Sequence, residues 1–88
     1  MKTVYCVYKD SHGTVGLAIN YQSAIDGLIE EEWLTEHTAL LDDNGVPSTV
    51  KEILGEEWVS LIKQWDITTF NIFFDGCFWI SSMEIWGS

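Results

Sequence analysis

The chain has 88 residues, 47% of them hydrophobic and 14% aromatic, which is enough for one domain with a substantial core and excludes intrinsic disorder. Fourteen acidic residues stand against four lysines and no arginine, so the formal net charge is −10. This charge argues against nucleic acid and anionic membrane surfaces as direct partners, because both are bound through Lys and Arg.

The chain begins with the pattern of a β-hairpin. Residues 3–9 and 14–19 are rich in β-forming side chains that alternate between two faces. Residues 10–13 between them have turn chemistry, and Gly13 can adopt a positive φ. We therefore predict two antiparallel strands joined by a tight turn.

The first predicted helix covers residues 21–34, where apolar side chains recur at helical spacing. Asn20 or Ser23 can cap its start. The next stretch is polar and irregular, and residues 38–41 within it either add a short strand or cross the surface.

A second helical region is predicted for residues 48–65, where residues 49–52 form a capping signature before a long apolar stripe. Gly55 interrupts this stripe. It either ends a short helix, with Glu56 beginning another, or lies inside one helix at a cost of about 1 kcal/mol relative to Ala.

The C-terminal part of the chain supports two interpretations. Residues 68–74 are β-prone, and Asp75-Gly76 between apolar runs is a strong hairpin signal. Asp66 is also a good N-cap, and the same apolar residues fit a short helix closed by the glycine. Residues 77–86 form a strand in either case. Local turn chemistry favours the hairpin.

Both interpretations predict one domain over residues 1–88 of the α+β class. A small antiparallel sheet of three or four strands combines the N-terminal hairpin with one or two C-terminal strands. Two or three helices pack on one face of that sheet, since each element must bury its apolar side against another.

The cysteines and the N-terminus predict a reduced, cytoplasmic protein. Cys6 and Cys77 form no C-x-x-C pair, and a disulfide-dense secreted scaffold would carry more cysteines. The first ten residues lack the apolar stretch of a signal peptide, and no apolar run approaches the roughly 18 residues of a membrane span.

Catalytic signatures are missing from the sequence, which has no Gly-rich phosphate loop, G-x-S-x-G or H-E-x-x-H. His12 and His37 lie in predicted loops, and both cysteines lie in strand-like segments where such side chains usually serve as small core hydrophobes. Together these four residues have metal-ligand chemistry but no characteristic spacing. We therefore predict a protein without catalytic activity, metal or cofactor.

The acidic residues are unevenly distributed along the chain. Ten of the fourteen lie between Asp26 and Glu57, where Lys51 is the one opposing cation. The charge is thus a belt across the two predicted helical regions and their connection. Eight of these acids are predicted to contact a partner: Asp26, Glu30, Glu31, Glu36, Asp42, Asp43, Glu52 and Glu56.

The spacing of four of these acids suggests a function. Asp26/Glu30 and Glu52/Glu56 are like-charge pairs four residues apart, which destabilise a helix by a few tenths of a kcal/mol each. Four helical residues rise about 6 Å, close to the separation of successive phosphates along a nucleic acid strand. The pattern is compatible with a mimic of nucleic acid.

Two further acids, Glu32 and Glu57, project toward the apolar stripes on ideal helical wheels. Each is either a buried carboxylate with altered pKa or a surface residue. We favour the second interpretation, in which Glu32 lies past the edge of the core and the break at Gly55 turns Glu57 outward.

In size, acidity and mixed α+β pattern the chain resembles the small accessory proteins of bacteriophages and mobile elements. The segment FNIFFDGCFWI, residues 70–80, has the same character. Within that class the chain is similar to anti-CRISPR and other anti-defence inhibitors, several of which are acidic mimics of nucleic acid. The resemblance implies an inhibitor that acts in a bacterial host cell on the basic nucleic-acid channel or the target-recognition surface of a nuclease complex, and it transfers no functional residue.

Two hypotheses of function follow. The first is an inhibitor or adaptor that docks its acidic belt on a basic protein surface, such as a CRISPR effector or another nucleic-acid-binding complex. The second is a non-catalytic structural or interaction module whose acidity serves only solubility. This module could dimerise through an edge strand or the surface around Trp79 and Trp86, which fall on opposite faces of the last strand, so that one is expected to be exposed.

Overall fold

A computed structural model describes residues 2–85 and confirms the α+β class. Five strands and four helices are found within these residues. In chain order they are β1 (Lys2–Lys9), β2 (Gly13–Ala18), α1 (Tyr21–Glu30), β3 (Ala39–Leu41), β4 (Pro47–Thr49), α2 (Val50–Leu54), α3 (Trp58–Gln64), α4 (Ile67–Phe73) and β5 (Phe78–Ile85).

The main sheet has three antiparallel strands in the order β2-β1-β5. The predicted N-terminal hairpin is confirmed, with Tyr5 opposite Ala18 and a register shift between Val7 and Tyr8. Residues 38–41 do contribute a short strand, since β3 pairs with β4 in a separate two-stranded sheet.

The hairpin interpretation, with a strand at residues 68–74, is wrong, because residues 68–73 lie in helix α4 and Phe74 is its C-cap. Asp66 caps the helix by accepting a hydrogen bond from the Thr69 backbone N–H at 2.8 Å, and this bond lowers the pKa of the Asp66 carboxyl. Gly76 has a φ of 83° in the turn after the helix, so the Asp-Gly pair marks a helix end. Phe70 and Phe74 are fully buried while Ile72 between them is 73% exposed, which fits a helix, whereas a strand would place all three side chains on one face.

The second helical region is divided at Gly55, which has a φ of 88° at the end of α2. Thr49 and Glu52 form the predicted capping box, in which each side chain accepts a hydrogen bond from the other residue's backbone N–H. The division at Gly55 and the helix at residues 67–73 account for four helices where two or three were predicted.

The core lies between the helices and one face of the three-stranded sheet. Ring centroids of Phe70 and Phe74 are 4.6 Å apart, and those of Phe74 and Phe78 are 5.7 Å apart. The hydroxyl of Tyr21 donates a 2.6 Å hydrogen bond to the Ile62 carbonyl. Burial, with the nearby charge of Asp66, raises the pKa of Tyr21, so this donor remains protonated. The largest fully buried side chains are Phe70, Phe74, Ile25, Leu34, Ile62, Ile80, Val7 and Val50.

Candidate functional site

Glu32 and Glu57, which project toward the apolar stripes on ideal helical wheels, are both exposed. Glu32 follows α1 and has a φ of 61°, so it lies beyond the last helical turn. Glu57 precedes α3 as its N-cap residue, after the break at Gly55. The favoured interpretation is confirmed for both. Among residues 2–85, Asn71 is the one buried residue with a polar or charged side chain, so none of the carboxylates there is buried.

Lysines neutralise several acids of the belt. The Lys51 Nζ atom lies 3.6 Å from a carboxylate oxygen of Glu36 and 3.4 Å from one of Glu56. Glu36, and then Glu56, raise the pKa of Lys51, which therefore stays charged. Asp26 on α1 forms an ion pair with Lys63 on α3. Three of the eight predicted partner-binding acids thus have a lysine partner within the fold.

Two more of the eight acids support local backbone structure. An oxygen of Asp42 accepts hydrogen bonds from the N–H groups of Asn44, at 2.8 Å, and Val46, at 2.9 Å, in the turn between β3 and β4. Glu52 belongs to the capping box of α2. These carboxylates are less available to a partner, because their oxygens already accept bonds from the chain.

The predicted helical pair Glu52/Glu56 is corrected by the structure. Helix α2 ends at Leu54, so the two acids do not share a helix. Asp26 and Glu30 do lie on α1, but the ion pair of Asp26 with Lys63 offsets their repulsion. A regular row of helical acids is therefore not the basis of this surface.

The remaining predicted acids, Glu30, Glu31 and Asp43, are exposed and form no ion pair within the part of the chain that the structure describes. Glu32 and Glu57 share this condition, although both were omitted from the predicted partner contacts. Glu30, Glu31 and Glu32 form three consecutive exposed carboxylates, which we call the acidic end of α1.

The acidic end of α1 lies where acids are least favourable. The C-terminus of a helix carries the negative end of its dipole, and the last turn of α1 contains no basic residue. The Glu32 N–H donates to the Ile29 carbonyl at 3.1 Å, and the Trp33 N–H donates to the Leu28 carbonyl at 2.9 Å. This bonding pattern usually has glycine at the left-handed position that Glu32 occupies. Three successive carboxylates therefore lie at a position where stability alone would favour glycine and lysine.

Replacing Glu32 by Gly is expected to raise the free energy of unfolding by about 1 kcal/mol, because the left-handed backbone strains a residue with a Cβ and because one acid leaves the helix end. Urea denaturation would measure the change. Glu57→Gly is the matched control, since Glu57 has a φ of −88° and should lose stability. A loss of stability in Glu32→Gly would contradict the prediction.

A groove of about 600 Å³ adjoins the acidic end of α1, between β2 and α1. Glu31 lines this groove with Trp33, and buried Val7 also contributes to its lining. The exposed His12 packs edge-on against Trp33, with ring centroids 5.0 Å apart. The groove places apolar, aromatic and acidic groups together, and nothing in the linear pattern indicated this combination.

The face of the main sheet that points away from the core, which we call the outer face, carries several large exposed apolar side chains around the buried Cys6. Paired positions share a face, so Trp79 lies beside Tyr8, and Leu17 lies beside Cys6. Trp79 is 52% exposed, as expected for one tryptophan of the last strand, while Trp86 lies outside the described residues.

The groups with potential for catalysis or metal binding are dispersed. Cys6 and Cys77 are both free, and Cys6 is buried, while Cys77 is half-buried with its Sγ 3.7 Å from the Ala39 carbonyl oxygen. Among residues 2–85, no group of three or more His, Cys, Asp or Glu side chains has an arrangement that could hold a metal ion. No helix within the same residues is long and apolar enough to span a membrane.

In comparisons with known proteins, no family model, curated protein or solved structure matches this chain. Its function is therefore argued from the acidic end of α1, the adjoining groove and the outer face.

Proposed function

We propose that this protein is a non-catalytic inhibitor or adaptor that docks the acidic end of α1 on a basic surface of another protein. The observation that carries the proposal is the placement of three exposed carboxylates, Glu30, Glu31 and Glu32, against the preference of the helix end. Natural proteins tolerate such local conflicts at functional sites more readily than elsewhere.

Electrostatics supports a basic partner. With a net charge of −10 and no arginine, the protein attracts cationic surfaces over several ångströms and accelerates their encounter with it. The internal ion pairs concentrate the uncompensated charge, since Lys51 and Lys63 neutralise acids elsewhere in the belt.

The class of partner follows from the same charge pattern. Basic surfaces that accept several closely spaced anions are typical of proteins that bind nucleic acid, because these proteins neutralise phosphates with Lys and Arg. We therefore propose a CRISPR effector or another nuclease complex of the bacterial host cell as the partner, with the acidic end of α1 in place of phosphates. The groove beside Glu31 offers an apolar contact at the rim of this interface.

The experiment is an affinity capture from bacterial lysate at low and high salt, followed by titration of the captured complex. Glu30→Lys combined with Glu31→Lys should weaken binding at least tenfold, or about 1.4 kcal/mol, because close charge pairs become repulsive. The wild-type affinity should fall steeply as salt rises.

The matched control combines Asp75→Lys with Glu84→Lys, which reverses the same number of charges on exposed residues outside the belt. This control should lose much less affinity. Equal losses in the two double variants would overturn the proposed site, and binding that is insensitive to salt would overturn the electrostatic mechanism.

A further inference from the structure

The paired positions of the outer face carry no acidic residue within residues 2–85, although one residue in six of the chain is acidic. Asp10 and Asp75, which are exposed, each line a pocket with Trp79 at one end of this face. Its paired positions carry one charge, the cation of Lys2 beside Ile85. Glu84 pairs with Thr3 and therefore belongs to the opposite face. The paired outer positions of residues 2–85 are Lys2, Val4, Cys6, Tyr8, Thr14, Leu17, Trp79, Ser81, Met83 and Ile85.

The helices do not cover this face. Five of its large side chains are exposed: Tyr8, Leu17, Trp79, Met83 and Ile85. Their exposed fractions run from 40% to 70%. With roughly 200 Å² for each complete side chain, they expose about 500 Å² of surface. Ile19, directly after β2, is also exposed.

A patch of this size is comparable with half of a stable interface. The largest apolar patches on ordinary monomers cover about 300–600 Å² and are often functional, and each partner in a standard interface buries about 800 Å². Val4, Thr14 and Ser81 lie between these side chains and add to the contact area. Tyr, Trp and Met are also enriched where proteins associate.

Charge distribution selects the occupant. A basic protein would find no acid at these paired positions, whereas a second copy of the chain would find a matching apolar surface. Two copies, each with a charge of −10, repel one another wherever their acidic surfaces meet. If the two copies pack through their outer faces, the helices and their acids face solvent on opposite sides of the dimer.

Edge-to-edge pairing through β5 is restricted by α4. The Phe78 N–H donates to the Phe74 carbonyl, and the backbone N–H and carbonyl of Ile80 both bond to the Asn71 side chain. The centre of this strand edge therefore cannot accept another strand. On this side of the sheet, the face is a better route to association than the edge of β5.

We propose that two copies of this chain pack their outer faces together in a symmetric dimer. The two sheets would lie about 10 Å apart, as in sheets packed face to face, with the helices outside. Leu17 and Trp79 of each copy are buried in the contact.

The test is sedimentation equilibrium of the full chain over a range of concentrations. The wild-type mass should rise from 10.0 kDa toward twice that value with concentration. Leu17→Glu should weaken association at least about a hundredfold, because it places a carboxylate of each copy in an apolar contact.

Leu41→Glu is the matched control, because Leu41 is 69% exposed on β3 and Leu17 is 70% exposed on β2. This control introduces the same residue and charge away from the outer face and should still dimerise. Circular dichroism should show both variants folded, since neither leucine is buried in the monomer. Equal weakening by both changes would overturn the proposed face.

Salt separates this proposal from docking on a basic partner. Added salt should strengthen the dimer, because it screens the repulsion between two acidic copies, whereas it should weaken docking. A mass of 10.0 kDa at all concentrations up to about 1 mM would overturn the dimer and leave the proposed function unaffected.

Discussion

Replacing Phe70 by Ala is expected to lower the free energy of unfolding by about 4 kcal/mol, because it opens a cavity at the centre of the core. The Phe70 side chain is fully buried, and its ring lies 4.6 Å from Phe74, 6.2 Å from Tyr21 and 6.4 Å from Phe78. A domain of this length has a total stability of only about 4–13 kcal/mol, so this loss is a large part of it.

Urea denaturation would measure the loss, and Ile72→Ala on the same helix is the control. Ile72 is 73% exposed, so its truncation should change stability by no more than about 0.5 kcal/mol. Phe70→Leu keeps most of the volume and should lose about 1–2 kcal/mol, which allows a measurement even where the alanine variant does not fold. A similar loss in Phe70→Ala and Ile72→Ala would contradict this description of the core.

Replacing Asn71 by Asp is expected to lower the free energy of unfolding by about 3 kcal/mol. The buried amide of Asn71 donates to the Ile80 carbonyl and accepts from the Ile80 N–H, each at 2.8 Å. A carboxylate of the same shape keeps the acceptor but has no donor. It therefore leaves a buried carbonyl unsatisfied and faces it with a negative charge.

Asn44→Asp introduces the same change in the exposed turn between β3 and β4 and should leave stability nearly unchanged. Lowering the pH until the introduced carboxyl is protonated restores a donor. The difference in free energy of unfolding between the wild type and Asn71→Asp should therefore become smaller at low pH. Hydrogen exchange gives a second measurement: the carboxylate still accepts the Ile80 N–H bond, but the lower stability of this variant should make the Ile80 amide exchange faster. A deficit of equal size in the two variants would contradict the bonding role of Asn71.

The two proposals use surfaces that differ but meet at β2, where Thr14 and Leu17 of the outer face also line the groove beside Glu31. The acidic end of α1 lies on the helical side of the sheet, and the outer face lies on the other side. A dimer would therefore present two acidic ends without covering either through sheet contact. The identity of the partner stays a prediction, and the charge-reversal and mass measurements test the two surfaces separately.

Local interactions were readable from the sequence. The cap at Asn20 and the capping box of Thr49 and Glu52 form as predicted, because each depends on residues within three positions of one another. The hairpin of β1 and β2 was predictable for the same reason, since alternation and turn chemistry act over short distances.

The segment after Asp66 was predicted less well, because local signals there support both a helix and a hairpin. Burial of Phe70 and Phe74 against distant residues, and the bonds of Asn71 to Ile80, favour the helix. These contacts join residues that neither periodicity nor turn chemistry could place together. Tertiary contact therefore overrides the β-propensity of this segment.

The candidate site divides in a similar way. The sequence by itself determined the acidity, the concentration of carboxylates between Asp26 and Glu57 and the fold class, because composition and short-range pattern suffice for these. Only the tertiary structure decided which acids remain uncompensated, since Lys51 and Lys63 reach their partners across separate elements. It also decided which face of the sheet the helices cover, because β1 carries apolar side chains on both faces and only packing distinguishes them.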